Sequence, residues 1–236
     1  TERICRPLFV CQSCKRFPCN SGILPMLLAT LCPCRYDDFC ILLRGRGDFA
    51  VYEAPRFEQN GVLCGPYLVN RIGCVTLLLM MEQLADKEIE NDLYFVFTAQ
   101  EEVGLRGAGA AAFAVEPDAA IAVDVTDTGD LPEMKSAMAV EPGKGPAAKV
   151  MDRSVICTPA VVDALEQAAK DCGVSAQREI LLCGGTDTSA LQKARASVQA
   201  GAVSIPTRYI HSPSELCAVS DVEDAAKLLT QYALRK

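Results

Sequence analysis

A single histidine, His211, stands among 236 residues, which excludes the HExxH metalloproteases and leaves any histidine chemistry to one position. Positive charge is also short: 23 Lys and Arg face 30 Asp and Glu, for a net charge of -7 and a pI near 4.9. Binding nucleic acid requires a clustered basic face that displaces counterions from phosphates, and no such face is visible, so no nucleic-acid partner is expected. Nor is there a run of the roughly 20 apolar residues that a membrane-spanning helix needs. The longest candidate, ILPMLLATLC at 23–32, is about half a span and is broken by Pro25. Lys15 and Arg16 ahead of it faintly suggest a signal peptide, but the segment lies away from the start and is Cys-rich beyond. The expected setting is the cytoplasm, without a membrane partner. No internal repeat is present, and a chain that starts at Thr1 reads as a fragment or a processed product.

What the chain does have is apolar mass. Half of its residues are hydrophobic, enough for a substantial buried core. Seven of its 13 cysteines (Cys5, Cys11, Cys14, Cys19, Cys32, Cys34 and Cys40) crowd the first forty residues. They include one C-x-x-C and one C-x-C, so zinc thiolates or a disulfide framework are conceivable there, although the spacing matches no two-pair zinc pattern well. The other six read as small buried hydrophobes. Residues 1–44 show neither helical nor strand periodicity and receive no fold assignment.

From Gly45 onward, apolar runs alternate with helical patterns between Gly, Pro and Asp turns, the mark of a layered α/β domain. A buried helix is expected over 73–86, apolar all round, followed by a central strand, LYFVFTA at 93–99, buried on both faces. After Gly104 the run LRGAGAAAFA suggests a helix packed closely on the sheet. The segment DAAIAVDV at 118–125 is the next strand, ending in Asp124. A helix over 159–171 opens with Thr158 and Pro159 and closes at Gly173. The chain continues with a strand at 178–182, a glycine turn feeding a helix, a late strand before His211, and an amphipathic helix near 221–234.

Reactive groups in open α/β sheets gather at the carboxyl ends of strands. Glu101, Glu102, Asp124 and His211 all fall there. Carboxylates and one imidazole suit a hard or borderline divalent ion, with a carboxylate to spare as general base. Adjacent glutamates past a strand end can diverge, one toward a metal and the other toward water. Each feature alone has a plainer explanation: a Glu-Glu pair is usually solvated surface, Asp often ends strands, and a lone His is more often not a ligand.

The segments GPYLVNRIGC, VFTAQEEVGLRGA, AVDVTDTGD, GKGPA, GGTDTSA and PTRYIHSPSE occur in this order, and together they resemble the M42 family of metallo-aminopeptidases, which includes glutamyl aminopeptidases. The resemblance spans about residues 45–236, leaving the N-terminal part of such a protein missing or replaced. It implies a three-layer α/β/α catalytic domain of the zinc-peptidase type over 61–236. It also implies a remnant of an inserted dimerisation domain at 45–60, and an activity that removes N-terminal residues from peptides with two divalent ions, zinc or cobalt. Homo-oligomeric shells are common in such a family. Carried over, the resemblance makes Glu101 the general base, Glu102 and His211 ligands of one ion, and Asp124 a ligand of the other. Asp187 in the GGTD turn and Arg208 would shape the substrate pocket.

The departures weigh equally. Where the family places an Asp that bridges both ions, this chain has Val69, with Asn70 a weak neutral neighbour. The family's earlier H-x-D histidine has no counterpart. One ion would keep two protein ligands and the other only Asp124, against the three that a catalytic zinc normally holds. Two main readings follow: a metal-dependent aminopeptidase, impaired by these losses, and an inactive homologue retained for peptide binding or assembly. A zinc-binding N-terminal module on an inert body ranks last.

Overall fold

The computed structural model describes residues 7–12, 39, 40, 51, 52, 54, 56–131 and 138–235. Strands β1 (Pro7–Gln12), β2 (Phe39–Cys40) and β3 (Val51–Tyr52) precede a hairpin of β4 (Phe57–Gln59) and β5 (Val62–Gly65). Asn60 and Gly61, both at positive φ, make the two-residue turn of that hairpin, the pairing that suits the right-handed twist of its strands. Then come α1 (Leu68–Leu84), β6 (Tyr94–Thr98), α2 (Arg106–Val115), β7 (Ala119–Thr126), β8 (Ala147–Met151) and α3 (Pro159–Asp171). The chain continues through β9 (Gln177–Ile180), α4 (Thr188–Gln192), β10 (Gln199–Arg208), β11 (Glu215–Ala218) and α5 (Val219–Ala233).

Nine strands form one sheet in the order β4-β5-β11-β10-β7-β1-β6, with β8 pairing β10 and β9 lying beyond β8. The strands β10, β7, β1 and β6 run parallel, so their carboxyl ends open on one edge of the molecule. Alternation along β7 feeds two cores. Ile121, Val123 and Val125 join Leu77 and Met80 of α1, Leu165 of α3 and Leu228 of α5 on one face. Ala120 and Ala122 join Ala108 and Ala112 of α2 and Leu191 of α4 on the other. The small side chains of the second face let α2 lie close: a Cβ on Gly107 would stand 2.7 Å from the Ala99 nitrogen. The result is the expected α/β/α layering. Among the described residues no helix is long and apolar enough to cross a membrane.

The structure differs from the sequence reading in four places. Pro7–Gln12, within the segment that received no fold, pairs in parallel between β6 and β7. Strand β6 is consequently an edge strand among the described residues rather than a central one, and Tyr94 and Phe97 are exposed. An aromatic, β-branched run reads the same at an edge as in the middle. The helix expected at 73–86 starts at Leu68, with non-helical Val69 and Asn70 inside it, and exposes Val75, Leu78 and Met81. An apolar girdle all round it does not mean burial all round. Finally, β7 runs two residues past Asp124. Of the N-terminal cysteines, Cys5, Cys14, Cys19, Cys32 and Cys34 lie outside the described residues, and for Cys11 and Cys40 only the strand backbone is described.

Candidate active site

The turn after β6 is built by backbone geometry. Gln100 takes a left-handed conformation, and the Glu101 carbonyl accepts N–H groups from Gly104 at 3.1 Å and Leu105 at 2.9 Å. This turn sends the two glutamates apart. Glu101 is buried, whereas Glu102 is half-exposed and meets the His211 ring, Nε2 to Oε1 at 3.1 Å.

Burial, and after it the charges of Asp124, Glu102, Asp187 and Asp152, push the Glu101 carboxyl up to about 8. Asp124, on β7, is pushed up to about 7, chiefly by burial; the Val125 N–H, at 2.8 Å from its Oδ1, pulls the other way. Asp187 is buried ahead of α4, where its Oδ2 accepts the Thr98 hydroxyl at 2.7 Å and its Oδ1 has no hydrogen-bond partner among the described residues. Burial raises its carboxyl as well. Glu101, Glu102, Asp124, Asp187 and Asp152 thus form one electrostatic neighbourhood at the carboxyl ends of β6 and β7. The Arg208 guanidinium is instead held by Asp130, with Nε at 3.0 Å from Oδ2. No direct contact joins it to that carboxylate group.

Reasoning from the sequence missed Glu215. Buried at the start of β11, it accepts the His211 N–H at 2.8 Å through Oε1 and the N–H groups of Leu68 and Val69 through Oε2. One carboxylate therefore holds both the histidine loop and the beginning of α1. Its position four residues after the histidine, inside RYIHSPSE, was the available signal. Asn70 proves to be committed to structure: its Nδ2 donates to the Val123 carbonyl at 2.7 Å and its Oδ1 accepts the Gly73 N–H at 3.1 Å.

The profile of the M42 glutamyl aminopeptidase family matches residues 45–228. The chain belongs to that family. Over 185 residues it is 47% identical to a candidate aminopeptidase of Acetivibrio thermocellus, an alignment covering 78% of this chain and 55% of that protein. Over 164 residues it is 38% identical to the lysyl aminopeptidase of Pyrococcus furiosus, covering 69% and 46%. Among solved structures, an aminopeptidase from the archaeon Desulfurococcus kamchatkensis superposes with a TM-score of 0.76 at 34% identity, covering 79% of this chain and 53% of that one. The Pyrococcus horikoshii TET1 peptidase, which can assemble into a tetrahedron or a large octahedral shell, gives 0.70 at 33% identity, covering 80% and 55%. The chain thus spans about half the length of the relatives it matches.

Metal dependence is general in M42 enzymes, and the residues of this site meet that requirement only in part. Among the described residues no three His, Cys, Asp or Glu side chains converge into a group able to hold an ion. Glu102 and His211 offer two ligands to one ion. Val69, where the family places its bridging Asp, offers only hydrocarbon and packs against the hydrophobic core, and the Asn70 amide is occupied by backbone. The described residues fit one ion in part and do not fit a pair.

Proposed function

We propose that this chain carries the catalytic half of an aminopeptidase that releases N-terminal residues from peptides, with Glu101 as its general base. The observation that carries the reading is the divergence of the two glutamates: Glu102 turns out to the His211 ring, while Glu101 is buried at a strand end, where burial and four further acidic side chains push its carboxyl up to about 8. Proton transfer is most effective when the group titrates near the working pH, and active sites are where burial and like charge produce such shifts. In this mechanism Glu101 takes a proton from the water that attacks the scissile carbonyl carbon. It returns that proton to the amine nitrogen as the carbon–nitrogen bond breaks. Asp124 and Asp187 strengthen Glu101 as a proton acceptor, because their negative charge raises its carboxyl. Glu102 and His211 would hold a single divalent ion, zinc or cobalt, which when bound supplies Lewis-acid polarisation of the substrate carbonyl. The Arg208–Asp130 pair and the Asp187 turn form the substrate pocket, residues 45–60 are what is left of an inserted domain, and the working protein is a cytoplasmic homo-oligomer.

A second reading, an inactive homologue that keeps the fold for peptide binding or assembly, is favoured by the hydrocarbon at Val69 and by the lack, among the described residues, of a three-ligand group. Calorimetric titration of the chelator-treated protein with zinc and with cobalt, alongside an assay of N-terminal residue release, separates the two. The enzyme reading expects one weakly bound ion lost in Glu102→Ala, and turnover that falls about 100- to 10,000-fold in Glu101→Gln. Absence of both binding and turnover leaves the inactive homologue.

A further inference from the structure

Among the described residues, Lys149 is the only Lys, Arg or His that is buried, and it is fully so. Taking an ammonium out of water costs several kcal/mol, so one persists inside a protein only where its surroundings hold it. Lys149 and Glu179 are register partners across the parallel β8/β9 ladder, which sets Nζ against Glu179 Oε1. The same ammonium lies 3.7 Å from Asp152 Oδ2. Glu179 also accepts the Thr126 hydroxyl at 2.8 Å. Cys157, a titratable neighbour of Lys149, stays a neutral thiol, pushed up to about 12 chiefly by burial, and offers no counter-charge.

From Asp152 the contacts lead toward the site. Its Oδ1 accepts the N–H groups of Ser154 at 2.7 Å and Val155 at 3.0 Å, which fixes the carboxylate in its own turn. Its Oδ2 accepts the Thr186 hydroxyl at 3.4 Å, and Thr186 lies 2.8 Å from the Thr188 hydroxyl. Asp187 sits between those two threonines, with its carboxylate on Thr98 at the end of β6, three residues before Glu101. A chain of polar contacts therefore joins a buried ammonium to the turn that presents Asp187.

We propose that Lys149 is a positioning residue of the candidate active site: gripped by Glu179, its ammonium anchors Asp152 and, through Thr186, the turn at 184–188 that sets Asp187 beside Glu101. The consequence for turnover rests on the proposed function; the mechanical link does not. A purely structural ion pair would change global stability alone. A positioning role loosens one turn and slows chemistry without weakening substrate binding.

Two variants test this. Lys149→Met/Glu179→Met replaces the pair with apolar groups of similar size, an exchange that buried pairs often tolerate. Thr186→Val cuts the link beyond the pair. In both, hydrogen exchange of the 182–188 backbone should quicken about tenfold while β7 and β10 keep their protection. With an unblocked peptide as substrate, kcat should fall about 100-fold with KM unchanged. Unaltered exchange at 182–188 in folded Thr186→Val overturns the inference, as does an enzyme whose kcat is unmoved in both variants. Quickened exchange in a protein whose wild type shows no turnover supports the positioning link and counts against the proposed function instead. If the double variant does not fold, Thr186→Val decides alone.

Discussion

Neutralising Asp124 should stabilise the metal-free protein, and by an amount that depends on pH. The buried carboxyl is carried from the ordinary aspartate value of 3.8 to about 7, with burial as the main cause. A group whose pKa rises on folding holds its proton more tightly in the folded state. Its contribution is therefore fully present below about pH 4 and is lost as pH rises toward 7. Above pH 7 the wild type carries a buried charge worth about 4 kcal/mol of lost stability at most. Asp124→Asn keeps an oxygen for the Val125 N–H and removes the charge. Its stability advantage over wild type should be near zero at pH 3.5, grow through pH 5 and 6, and level off above pH 7. At about 2–4 °C per kcal/mol for a chain of this size, the plateau corresponds to a rise in Tm of roughly 10 °C. Differential scanning calorimetry in EDTA across that pH range reads it directly. A gap that does not change with pH, or a variant less stable than wild type at pH 8, would refute the reasoning.

Two further perturbations address how the site is held. Glu215→Ala strips the acceptor from the N–H groups of His211, Leu68 and Val69, and each donor left unpaired costs about 1–3 kcal/mol, so urea unfolding should show a loss of several kcal/mol. The same variant should weaken cobalt binding at Glu102 and His211, measured by calorimetry, although neither ligand is altered. Gly107→Ala drives a methyl group to 2.7 Å from the Ala99 nitrogen and 2.9 Å from its carbonyl oxygen; backbone cannot yield cheaply, so about 1–3 kcal/mol is lost in chemical denaturation. Gly109→Ala on the same helix, with nothing nearer than 4.0 Å, should be neutral or stabilising.

Much of the layering was readable in the residue order because the period of the pattern matches the period of the element. The segments 159–171, 118–125 and 221–234 fold as the helix, strand and helix they suggest, with shifts of a residue or two at their ends. Strand order was not readable. Pro7–Gln12 enters the sheet between β6 and β7, and the choice of those partners leaves no mark in hydrophobic period and none in composition. That insertion completes the parallel set whose outermost strand among the described residues, β6, leads into the glutamates.

For the site, the residue order determined which ionisable groups stand at strand ends and which ligands are missing: a lone histidine and a valine at position 69 are facts of composition. Only the tertiary structure decided how they act. It turned Glu101 inward and Glu102 outward from adjacent positions, and set His211 against Glu102 across 109 residues of chain. It also buried Lys149, Glu179 and Asp152 behind the site and gave Glu215 three backbone donors to hold. The physical reason is that a carboxylate's chemistry depends on its distance from water and from other charges, and both distances arise when strands far apart in sequence close side by side.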